Sequence, residues 1–116
     1  MLPRLLAPLL LALALAVPAL AEVDARFFPA AFAELDEAGR RAVQQELQAA
    51  GFYRGAIDGR YGPGTESALV RAATRLQEES FGLSVFLDTE ADAISFLFAL
   101  AEGSYAEWLR AREDGG

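Results

Sequence analysis

From Asp36 onward the apolar positions fall at helical spacing. Ala38, Ala42, Val43, Leu47 and Ala50 recur at steps of three and four, or one, and predict a first helix with Asp36 as its N-cap. Gly51 follows in the place of a left-handed stop. A second run, Ala68, Leu69, Ala72, Ala73 and Leu76, forms a narrow face of small residues that lets another helix approach closely, and Thr65 is its expected N-cap. A third helix is expected from Asp88 or Thr89, with Ile94, Leu97, Phe98 and Ala101 on one face and Phe96 and Leu100 in other directions. A helix apolar all round belongs in the centre of a molecule or beneath a cover.

The two flanks supply candidates for that cover. Phe27, Phe28, Phe32 and Leu35 lie around a helical turn after Pro29, and four large apolar side chains in so short a stretch are too many to leave in water. The expectation is that this segment, residues 22–35, lies over the third helix; a homodimer using the same aromatic surface is the alternative. At the other end, Gly103 interrupts the third helix and Ser104-Tyr105-Ala106-Glu107 reads as a capping box. That box restarts a short helix with Tyr105, Trp108 and Leu109 inward. A helical domain over 36–112 and a disordered tail over 113–116 complete the expected layout, which is all-α.

Between the first two helical runs lies Gly51-Phe-Tyr-Arg-Gly-Ala-Ile-Asp-Gly-Arg-Tyr-Gly-Pro-Gly-Thr65, with five glycines and one proline in fifteen residues. Such a stretch implies tight turns and positive φ angles. Asp58 is placed to accept backbone N–H groups of the following turn, Gly59 and Gly62 to take conformations that a Cβ would obstruct, and Phe52, Ile57 and Tyr61 to tuck inward. Gly51, Gly55, Asp58, Gly59, Gly62 and Thr65 are thus read as architecture. Tyr53, Arg54, Arg60 and Tyr61 remain as candidate ligand-binding residues, since aromatic faces and guanidinium donors suit sugar rings and carboxylates.

In register, Val43, Leu47, Gly51, Phe52, Tyr53, Gly55, Ile57, Asp58, Gly59, Tyr61, Gly62, Thr65, Ala68 and Leu69 resemble the pattern of the peptidoglycan-binding-like domain of bacterial cell-wall proteins. The resemblance spans about Arg40 to Leu97. It implies a small three-helix bundle with a glycine-rich loop, and a shallow groove near that loop for cell-wall glycan or stem peptide. The chain departs from the pattern in the second helix, where Ala72-Ala73 stand in place of an aromatic and a glutamine and Leu76-Gln77 comes one turn later. That helix is therefore expected to be longer or differently packed.

The N-terminus changes the picture independently. Arg4, an almost unbroken Leu/Ala run from Leu5 and the small-x-small triplet Ala19-Leu20-Ala21 predict a secretory leader over residues 1–21. The apolar run from Leu5 to Leu20 is short against the roughly 20 residues that span a bilayer. Cleavage before Glu22 takes 21 of the 116 residues and leaves 95, one small domain whose 9 arginines against 17 acids give a charge of −8. That balance argues against nucleic acid and anionic membranes as partners. The absence of His and Cys removes the commonest general base, the thiolate nucleophile, the usual transition-metal ligands and any disulfide. The acids in Glu34-Asp36-Glu37 and Glu78-Glu79 suit helix starts and solvated faces.

The reading that follows is a periplasmic, noncatalytic module that recognises peptidoglycan or muropeptide, with no cofactor, no metal and no stable membrane insertion. One alternative keeps the fold and docks to another envelope protein through its aromatic ends and acidic surface. A wall hydrolase using Glu or Asp ranks last, because nothing in the sequence sets two carboxylates across a cleft.

Overall fold

The computed structural model describes residues 22–80 and 85–115, with side chains through Arg110. The leader expected at 1–21 lies outside the described residues. Among the described residues five helices follow one another: α1 (Phe28–Glu34), α2 (Glu37–Ala49), α3 (Pro63–Ser80), α4 (Glu90–Ala101) and α5 (Ala106–Gly115). No strand occurs among the described residues, and no helix among them is long and apolar enough to cross a membrane.

Local chemistry accounts for most of the boundaries. Asp36 caps α2, its Oδ1 accepting the Gly39 N–H at 2.7 Å, and Thr89 caps α4 in a reciprocal box with Asp92. Helices α2 and α4 stop in the same way. At Gly51 (φ 85°) the Phe52 N–H bonds Leu47 O at 2.9 Å and the Gly51 N–H bonds Gln48 O at 3.0 Å. At Gly103 (φ 82°) the Ser104 and Gly103 N–H groups do likewise with Ala99 O and Leu100 O, both at 3.0 Å. These are paired Schellman closures, which need a residue without a Cβ penalty in the left-handed region.

Three boundaries differ from expectation. Thr65 is not the N-cap of α3: the helix opens two residues earlier at Pro63, where a missing N–H and a fixed φ suit the first helical position. The N–H of Ala106 bonds Gly103 O at 3.1 Å, so backbone rather than the Ser104 hydroxyl opens the last helix. That helix then runs to Gly115, through residues expected to form a disordered tail.

Helix α4 packs against both α1 and α2, and α3 packs against α2 and α5. Phe28, Ala31, Phe32 and Leu35 present one buried face of α1 to α4, as the cover hypothesis requires. The rings of Phe28 and Phe96 lie 6.1 Å apart, and Phe96 and Tyr105 lie 5.6 Å apart, so one aromatic seam joins the N-terminal segment to the turn before α5. The buried face of α4 is Ala93, Phe96, Leu97 and Leu100, whereas Phe98, assigned to the inner face from sequence, is 47 % exposed. In a helix with bulky apolar residues in every direction, periodicity picks out no single face. Trp108 likewise points outward, 48 % exposed, while Leu109 beside it is buried.

Candidate functional site

The loop between α2 and α3 has no strand ladder to hold it, so its backbone groups need other partners. One side chain supplies three of them, at residues 58 to 60. Gln44, on the inner face of α2 beside Val43 and Leu47, is fully buried. Its Oε1 accepts the N–H groups of Asp58 (3.0 Å) and Gly59 (2.8 Å). Its Nε2 faces Arg60 O at 3.0 Å, with Asp58 Oδ1 and Thr65 Oγ1 at 3.3 Å and the Tyr53 hydroxyl at 3.5 Å. Two amide hydrogens serve these four acceptors, so the bond to Arg60 O leads and the others are shared. The two N–H groups aimed at Oε1 fix which way the amide points.

Neighbouring arginines strap the loop from outside. Arg40 donates through Nε to Gly59 O at 3.0 Å and through Nη1 to Leu35 O, which also ties the α1–α2 junction to the loop. Asp58 accepts the Arg60 N–H at 2.9 Å. That bond first, and the Gln44 amide second, hold its carboxyl below the ordinary aspartate value, so it is fixed as an anion.

The glycines divide by cause. Gly59 is buried with φ 71°, a left-handed conformation that L side chains avoid. A Cβ at Gly55 would lie 2.7 Å from the Tyr53 hydroxyl, so the Tyr53 ring excludes any larger residue there. Gly62, expected to meet the same kind of demand, has open space around it and no positive φ. Thr65, inside the first turn of α3, is buried and joins the Gln44 network.

The four candidate ligand-binding residues separate. Tyr53 lines the groove only as a buried residue: it is 8 % exposed, and its hydroxyl donates to Ala56 O at 2.6 Å. Tyr61 is half-buried, its ring edge-on to Phe32 at 5.5 Å and its hydroxyl donated to Glu66 at 2.9 Å. Burial, then the Glu66 hydrogen bond, raise its phenol above the ordinary tyrosine range. Arg54 and Arg60 are exposed.

These residues border an open groove of about 690 Å³ between the loop and the start of α3. Phe52, expected from sequence to tuck inward, and Arg71, which the sequence did not single out, also line it. The guanidinium carbons of Arg71 and Arg75 stand 5.3 and 4.6 Å from the Phe52 ring centre, and Arg75 also donates to Leu109 O at 2.9 Å. Arg71 belongs to the groove because α3 folds back beside the loop, which spacing alone does not reveal.

The arginines with described side chains sort into two sets. Arg26, Arg40, Arg41, Arg75 and Arg110 each donate to a carboxylate or carbonyl of the protein. Arg54, Arg60 and Arg71 donate no side-chain hydrogen bond and form no ion pair among the described residues, and all three line the groove. Asp58 is the one acid of the lining, and its inner oxygen is already bonded within the loop. Among the described residues no cluster of acids is gathered that would hold a metal ion.

Residues 36–73 match the family model described as "Putative peptidoglycan binding domain". The matched span runs from the cap of α2 to Ala73 in α3 and contains the whole groove lining, while α1, α4 and α5 lie outside it. No catalytic domain is identified in the chain. No curated protein and no solved structure matches the chain at a significant level.

Proposed function

We propose that this chain is an exported, noncatalytic module that binds bacterial cell-wall peptidoglycan in the groove between the glycine-rich loop and α3. The observation that carries the reading is the convergence of Arg54, Arg60 and Arg71 on that groove in a chain with a net charge of −7. The other arginines among the described side chains donate to carboxylates and carbonyls; these three donate no side-chain hydrogen bond, in the span that matches a peptidoglycan-binding family. Murein carries free peptide carboxylates, and guanidinium groups pair with them through two parallel hydrogen bonds.

A domain that binds cell wall works outside the cytoplasm, and the leader read at residues 1–21 supports a periplasmic address. Co-sedimentation of the protein with isolated sacculi tests the reading. Retention is expected at low salt and should fall as ionic strength rises and screening shortens to about 10 Å at 0.1 M. Absence of retention at low salt would remove peptidoglycan as the ligand. Exposed Phe98 and Trp108 favour a second reading, docking to another envelope protein. A stable complex in light scattering together with no sacculus binding is the result expected of that alternative.

A further inference from the structure

The groove differs from a sugar-binding platform in one respect. Carbohydrate stacking needs an aromatic face open to the ligand, and every aromatic side chain that lines this groove is already engaged. Tyr53 lies in the core beneath Gly55, Tyr61 is held by Phe32 and Glu66, and two guanidinium groups stand over Phe52. The open chemistry is cationic: three guanidinium groups, each a planar fork of five N–H donors.

We infer that the groove selects the carboxylates of short cell-wall peptides and does not read the glycan. This rests on the peptidoglycan reading and narrows it. Three open forks on one groove match a peptide with two or more free carboxylates better than a single acid group. The net charge of −7 disfavours anions over the surface at large, which favours their capture at the groove. Asp58, fixed as an anion at the groove wall, adds a constraint: it disfavours a ligand carboxylate beside it and directs the anionic groups toward Arg54, Arg60 and Arg71.

The test compares native sacculi with sacculi whose carboxyl groups have been amidated, using protein purified from cells expressing the full chain. Soluble alanyl-glutamate, its diamide and a neutral N-acetylglucosamine oligomer serve as competitors. Retention on native sacculi, its loss on amidated ones and displacement by alanyl-glutamate alone are the expected results. Equal retention on amidated sacculi, or displacement by the neutral sugar, would overturn the carboxylate inference and leave peptidoglycan binding standing. Failure to bind native sacculi would instead overturn the parent reading, so the two failures are distinguishable.

The double variant Arg54→Gln/Arg60→Gln is expected to weaken alanyl-glutamate competition at least about tenfold. Its thermal melting should not change, because both side chains are exposed and unpaired. Unchanged competition by that variant would also overturn the inference.

Discussion

The glycine-rich loop and the seam between α1 and α4 are ordered by opposite means. In the loop, a single buried amide satisfies backbone groups of residues 58 to 60. In the seam, Phe28, Phe32 and Phe96 exclude water, and the geometry of individual polar groups is unimportant. The first arrangement is directional and fixes shape; the second is non-directional and supplies stability. A surface built on the loop therefore inherits precise geometry from Gln44, while the rings of the α1–α4 seam, which meet the loop where Phe32 touches Tyr61, supply stability.

The largest expected effect lies in the seam. Phe28→Ala empties a fully buried ring site and should cost about 3–5 kcal/mol, a large share of a small domain's stability. The thermal midpoint should fall by roughly 15 °C or more, while the Gly59 amide of the remaining native population keeps its chemical shift. A change of less than a few degrees would show that α1 is an ornament and not part of the core.

Gln44→Leu sharpens the contrast from the other side. It keeps the volume and strands two N–H groups and a carbonyl, at a cost of about 2–3 kcal/mol. Hydrogen exchange should accelerate first at Asp58 and Gly59 and only later at α4 amides. If loop and α4 amides lost protection together, the two regions would be one cooperative unit and the comparison would fail.

The finest distinction is between two glycines of the same motif. Gly59→Ala should cost about 1–2 kcal/mol in urea unfolding because the left-handed conformation penalises a Cβ. Gly62→Ala should change stability by less than about 0.5 kcal/mol. Equal costs would mean that the motif is constrained by something other than local backbone geometry.

The features legible in the sequence were those with a local physical signature. Asp36, Gly51 and Thr89 mark helix ends through caps that involve only neighbours in the chain, and the small-residue face of α3 follows from spacing. The aromatic cover was legible for the same reason that any large apolar cluster is: it must go somewhere dry. What was lost depends on contacts between distant segments. Gln44 reads as an ordinary polar helix residue, and its one clue is a position flanked by Val43 and Leu47 on the apolar side. Tyr53 resembles a ligand-stacking ring until its burial is known, and Arg71 becomes a groove residue only once α3 lies against the loop. Thr65 was misplaced because two cap signals compete there, and Pro63 prevails.

The Gln44 network has a consequence for how such a module can change over generations. Gln44 holds three main-chain groups of the loop and meets the side chains of Tyr53, Asp58 and Thr65, none of them a side chain at position 54 or 60. The outward residues at positions 54 and 60 are therefore free to be exchanged without redrawing the path of the loop. On the proposed reading, form and specificity are held by separate sets of atoms, so new ligands can be explored by swapping two surface side chains while the scaffold beneath them stays as it is.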